Sequence, residues 1–144
     1  MGNLGSRRNP VFLSRYNIRT MDEKLLPIYT TSGDLSAFMH YPYLFNPQGE
    51  WIGFITSKKE VYSVLGNYVG YLADGPRILR KRSYGFDKPQ VKPPEPPPLL
   101  INIPPTAPLP PLMAEITFSE MDILEEEPER LLPRNAAENL SELD

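Results

Sequence analysis

Four cations crowd one short stretch, RILRKR, in which Arg77, Arg80, Lys81 and Arg82 fall within two turns of chain. Guanidinium and ammonium groups hold phosphate through charge-assisted hydrogen bonds. Tyr62, Tyr68, Tyr71 and Tyr84 lie close in sequence and could add stacking surface. The segment is therefore a candidate anion site for a lipid headgroup or nucleic acid. The competing reading is a charged edge strand that discourages aggregation, or an internal partner for acidic residues elsewhere. The chain carries a net charge of −3, which weighs against nucleic acid as a partner.

Little else offers chemistry. His40 is the single histidine and cysteine is absent, so a thiol nucleophile, a thiolate metal site and a histidine cluster are excluded. The glycines form neither G-x-x-x-x-G-K-[ST] nor G-x-G-x-x-G before a helix. Glu125, Glu126 and Glu127 form a solvated charge run without the spaced oxygens of a calcium loop. The expectation is a protein that is not an enzyme and needs no metal or cofactor.

The charge is unevenly spread. Residues 1–114 carry 13 Lys/Arg against 8 Asp/Glu, whereas residues 115–144 carry 2 against 10. A basic body with an acidic tail can pair with itself. Residues 1–20 hold four Arg and no acid, and read as a disordered basic leader. The opening MGNLGS also fits the short N-myristoylation pattern. That pattern and the basic segment are what leave a membrane surface open as a partner. Apolar runs are too short to span a bilayer and no secretory core is visible, so the expected compartment is cytoplasmic.

The elements that would position these groups come from a repeat. IYTTSGDLSAFM (28–39), LFNPQGEWIGFI (44–55) and VYSVLGNYVGYL (61–72) share one pattern. It runs aliphatic, aromatic, three variable residues, Gly, polar, bulky, variable, Gly or Ala, aromatic, aliphatic. Gly33, Gly49 and Gly66 recur 16 and 17 residues apart. Period-2 alternation with aromatic and β-branched residues predicts strands. Asn46-Pro47-Gln48-Gly49 has the composition of a type I turn closed by a residue at positive φ. Each unit therefore reads as a β-hairpin. Asp34, Glu50 and Asn67 are expected to start the return strands, with Trp51 next in the second unit. Gly53 and Gly70 sit mid-strand, where backbones or rings of different units are expected to approach too closely for a Cβ, near a common axis. A fourth unit starts at Arg77–Arg80 but lacks the turn glycine, Ser83 standing in its place.

Proline changes the regime: of 18 prolines, 11 fall in residues 89–111. Such a stretch favours polyproline II, at ~3.1 Å per residue. The expected organisation is a leader (1–20), a β-hairpin repeat domain (21–86), a proline-rich arm (87–114) and an acidic tail (115–144), partly docked. A repeat domain of that size is marginal alone. The apolar pieces at 99–103 and 116–124 are therefore expected to pack on it, 116–124 as a closing strand or a short helix.

The core YLFNPQGEWIGFITSKKEVYSVLGNYVGYLADGPRILRKRSYG, followed by the proline-rich segment, resembles the bacterial four-fold β-flower domain family over roughly residues 27–86. MORN repeats share Gly-aromatic hairpins at a longer period and fit less well. The resemblance implies an all-β fold of four hairpin petals around a pseudo-four-fold axis and supplies no activity. Function is then expected to be that of a non-catalytic interaction or scaffold module with a protein partner. The alternative is anionic-ligand binding through residues 77–82.

Overall fold

A computed structural model of the chain describes residues 25–97 and 108–143. Among the described residues, eight strands, each paired with the next in sequence, form one antiparallel sheet. They are β1 (Leu26–Tyr29), β2 (Leu35–His40), β3 (Tyr43–Phe45), β4 (Trp51–Ile55), β5 (Glu60–Ser63), β6 (Tyr68–Ala73), β7 (Arg77–Lys81) and β8 (Glu120–Asp122). Two helices follow, α1 (Ile123–Glu126) and α2 (Arg134–Leu143), with a 3-10 turn at Pro128–Arg130 between them. The basic leader and the 99–103 segment lie outside the described residues.

The three hairpins repeat in atomic detail. The Gly33, Gly49 and Gly66 amides donate to the carbonyls of Thr30, Asn46 and Ser63, each at 2.9 Å. All three glycines adopt positive φ, at 98°, 85° and 90°. That conformation favours glycine, which explains the strict spacing. A side-chain oxygen at the first turn position accepts from the amide four residues on. The pairs are Thr30 with Asp34 at 3.0 Å, Asn46 with Glu50 at 2.9 Å and Ser63 with Asn67 at 3.2 Å.

One residue of each petal points to a common centre. Ile28, Leu44, Val61 and Ile78 are all fully buried, at successive repeat positions. In the first three petals they pair with Ala37, Gly53 and Gly70, and the register shifts immediately afterwards. That bulge twists and curls the strands, so the sheet bends round until its ends meet. The two faces of β4 are both covered: the adjacent Ile52, Phe54 and Ile55 are all buried.

The mid-strand glycines are required, though rings are not what crowds them. A Cβ on Gly53 would lie 2.5 Å from the Tyr62 carbonyl oxygen and 2.9 Å from Leu131. One on Gly70 would strike the Leu79 carbonyl oxygen. The obstacle at each is the backbone of the next petal, which cannot step aside as a side chain can. Ala37 keeps its Cβ and is nonetheless completely buried.

The fourth petal is built differently. β7 pairs with β8, Leu79 opposite Asp122, Arg80 opposite Met121 and Lys81 opposite Glu120. Its return strand thus comes from the acidic tail, and residues 82–119 stand where the other petals have a tight turn. Met121, Ile123 and Leu131 join the central core, whereas Phe118 is exposed. The proline-rich segment contacts the petals one after another. The Val91 amide donates to the Gly66 carbonyl at 2.9 Å, and the Tyr43 hydroxyl donates to the Glu95 carbonyl at 2.7 Å. Beyond residue 107 the Tyr29 hydroxyl donates to the Pro108 carbonyl, and Pro110 lies against Gly33. The described parts of this segment therefore touch petal three, then two, then one.

Candidate functional site

Strand β7 and Arg82 just beyond it present the four cations in different directions, because successive side chains along a strand alternate between faces. Arg77 is buried and donates to the Thr31 hydroxyl at 3.1 Å. Arg80 is also buried, donating to Glu127 at 3.1 Å and to the Met121 sulfur at 3.2 Å. Arg82 forms a two-pronged pair with Glu126, at 2.9 and 2.7 Å. Lys81 is exposed and makes no ion pair among the described residues. The structure brings Arg80 and Arg82 together with the acidic segment and does not converge the four cations on one point.

The electrostatics follow from these contacts. The Arg82 guanidinium holds the Glu126 carboxyl below its ordinary range. At Glu127, burial works to raise the pKa, but bonds from Arg130 and Arg80 outweigh it and the net shift is downward. Across the sheet, the Lys88 ammonium does the same for Glu60, the two meeting at 3.1 Å.

Sequence reasoning missed the seam where the ends of the sheet meet. The Asp122 carboxylate accepts from the Thr31 amide at 2.7 Å and from the Thr31 hydroxyl at 2.6 Å. Beside it, Glu125 accepts from the Ser32 amide at 2.8 Å and hydroxyl at 2.7 Å. Two carboxylates from the tail thus grip the turn of the first petal. The only signal in the sequence was Asp122 between two apolar residues that prove to be core, Met121 and Ile123.

An aromatic row flanks the cations. Phe54, Tyr62, Tyr68, Tyr84 and Phe86 follow one another with ring centroids 5.4, 5.7, 5.1 and 4.9 Å apart. Lys88 sits 5.0 Å from the Tyr68 ring, and Phe86 lies between Arg80 and Arg130 at 4.9 and 4.8 Å. Tyr68, Tyr71 and Tyr84, with Arg80, Lys81 and Lys88, line a pocket of about 230 Å³. A cleft of about 380 Å³ lies between the third petal and α2, lined by Leu65, Tyr68, Val69, Arg130, Ala137 and Leu140.

The glycines of the repeat and Trp51 serve the architecture. Trp51 donates its indole N–H to the Gly53 carbonyl at 2.8 Å and stands edge-on to Tyr43, 6.1 Å away. Among the described residues, no three His, Cys, Asp or Glu side chains are placed to share a metal ion. No described helix is long and apolar enough to cross a membrane.

No curated protein and no solved structure matches the chain. A family model described as "4-fold beta flower protein" matches residues 26–125. That span begins at the first described strand, crosses the whole proline-rich segment and ends in α1, which is the extent of the four petals seen in the structure. The chain therefore belongs to the 4-fold beta flower family.

Proposed function

We propose that the protein is a non-catalytic interaction module, in which a rigid flower holds the proline-rich segment out for a protein partner. One observation carries this reading. Leu109, Leu112 and Phe118 are 91%, 104% and 96% exposed, on a segment whose neighbours Pro108 and Pro110 are held to the body. Three large apolar side chains left in water on one anchored segment support the reading of a binding surface. Anchoring also removes much of the ordering cost that a free arm incurs on binding.

The alternative, anionic-ligand binding through residues 77–82, has less support. Arg80 and Arg82 already have carboxylate partners, so a phosphate would have to displace Glu127 or Glu126. The test pairs two measurements on the full chain. In-cell crosslinking should trap a protein neighbour with wild type and lose it with L109D/L112D/F118D. Flotation with phosphatidylserine vesicles and gel shift with single-stranded oligonucleotide should show no binding. Salt-sensitive binding that R77A/R80A/R82A abolishes would overturn this reading in favour of the anionic ligand.

A further inference from the structure

We propose that the partner is a second copy of this chain, the Pro108–Met113 stretch of one protomer seating in the pocket lined by Tyr68, Tyr71 and Tyr84 of the other. This deepens the interaction-module reading and rests on it. The two halves of the contact are both present on the molecule, on different surfaces.

The first half is a ridge. Residues 108–113 read Pro-Leu-Pro-Pro-Leu-Met and carry no charge. Polyproline II has three residues per turn, so Leu109 and Leu112 fall on one side of such a stretch. Their exposure shows which side faces away from the body. The contacts that hold the stretch lie elsewhere along it: the Tyr29 hydroxyl on the Pro108 carbonyl, Pro110 against Gly33, and Met113 against Gly75.

The second half is an aromatic pocket. Proline-rich ligands dock on aromatic-lined grooves, which read a preformed extended backbone. Tyr68 and Tyr84 meet edge-on at 5.1 Å and so form two differently oriented walls. Phe86 extends them beyond Tyr84; it is 54% exposed and held at a φ of 59°. A bulky residue in the left-handed region is a strained placement that the surroundings must maintain. The Tyr68 hydroxyl makes no hydrogen bond among the described residues. Burial pushes its pKa up, so it stays protonated and able to donate to a ligand carbonyl.

Charge selects this occupant over an anionic one. Lys88 and Arg80 are spent on Glu60 and Glu127, which leaves the pocket suited to an uncharged ridge. Lys81 remains free among the described residues beside the pocket, and Glu115 follows the ridge three residues after Leu112. The ridge is held by petal one and, at Met113, by the Gly75 turn, whereas the pocket is lined by other residues of petals three and four. A ridge so fully exposed is not seated in its own pocket. The contact therefore joins two different surfaces, which a reciprocal two-fold dimer satisfies twice over and a head-to-tail arrangement satisfies as a ring or a filament.

Sedimentation velocity of the full chain over a wide concentration range tests this. Wild type should show a sedimentation coefficient that rises with concentration. L109D/L112D should associate at least about tenfold more weakly, as loss of central apolar anchors does, with an unchanged melting curve because both side chains are exposed. A synthetic peptide of residues 107–115, added to isotope-labelled L109D/L112D, should shift the Tyr68, Tyr71 and Tyr84 resonances. A wild type that is monomeric throughout, a double variant that associates equally, or peptide shifts elsewhere would each overturn the proposal. A monomer whose crosslinked neighbour is still lost in L109D/L112D/F118D would sink self-association alone and leave the interaction module standing.

Discussion

The first three petals and the fourth solve one geometric problem in opposite ways. Each of the first three closes on itself through a tight turn with a positive-φ glycine. The fourth takes its second strand from across residues 82–119 and has no such turn. Local closure costs little chain entropy, whereas closure over a long segment costs more and must be offset by what it buries. The fourth petal meets that cost by burying Met121, Ile123 and Leu131 and by gripping the first petal through Asp122 and Glu125. The irregular petal is thus the one whose contacts lock the ring.

Removing the distant strand should break the comparison most visibly. A chain ending at Phe86 loses β8, α1 and the seam together, leaving the buried face of β7 unpaired. Its cooperative thermal transition should disappear or fall far below that of wild type. An unchanged melting temperature would mean that three petals stand alone.

The glycines test the regular petals at the next scale. Gly53→Val and Gly70→Val each drive side-chain atoms into a backbone carbonyl of the adjacent strand. A loss of about 3 kcal/mol or more is expected, the range of severe overpacking combined with backbone displacement. Denaturant unfolding measures it. A loss under about 1 kcal/mol at both positions would show that the petals have slack between them.

The seam should rank third. Asp122 is buried and accepts two hydrogen bonds, so Asp122→Ala strands the Thr31 amide and hydroxyl and should cost about 2–3 kcal/mol. The turn variant Asn46→Ala removes a local cap from an exposed hairpin and should cost only about 1 kcal/mol. If the order is reversed, the long-range petal is not the lock.

The difference between the petals also explains what could be read from the sequence. Turn glycines, the aliphatic that opens each unit and return strands were legible because each petal repeats a chemical requirement at fixed spacing. Gly33, Gly49 and Gly66 need positive φ, and Ile28, Leu44 and Val61 need burial. The return strand of petal four was only half legible. Met121 and Ile123 stood out as apolar, but nothing local links them to Arg80 or Ile78. Pairing across residues 82–119 leaves no periodic trace. The basic stretch was legible as charge and not as contact. Whether Arg82 meets phosphate or Glu126 depends on where α1 lands, which the fold decides.

Acid gives the smallest effect and the sharpest sign. Glu127 joins Arg80 and Arg130, at 3.1 Å each, and so ties the tail to the fourth petal. Its pKa is held below the ordinary carboxylate value of 4.5 in the folded protein, the two guanidinium bonds outweighing the opposing effect of burial. A depressed carboxylate contributes stability that is present in full above its unfolded pKa and is lost as pH falls through the folded one. Melting temperature should therefore decline on acidification through the range at and below about 4.5. In Glu127→Gln that part of the decline should be absent, because the amide does not titrate there. Glu60 and Glu126 shift the same way and continue to titrate in the variant, so its slope should shrink and not vanish. Identical acid slopes for wild type and variant would show that the Arg80 contact does not hold the tail, and the lock would then reside in the apolar strand alone.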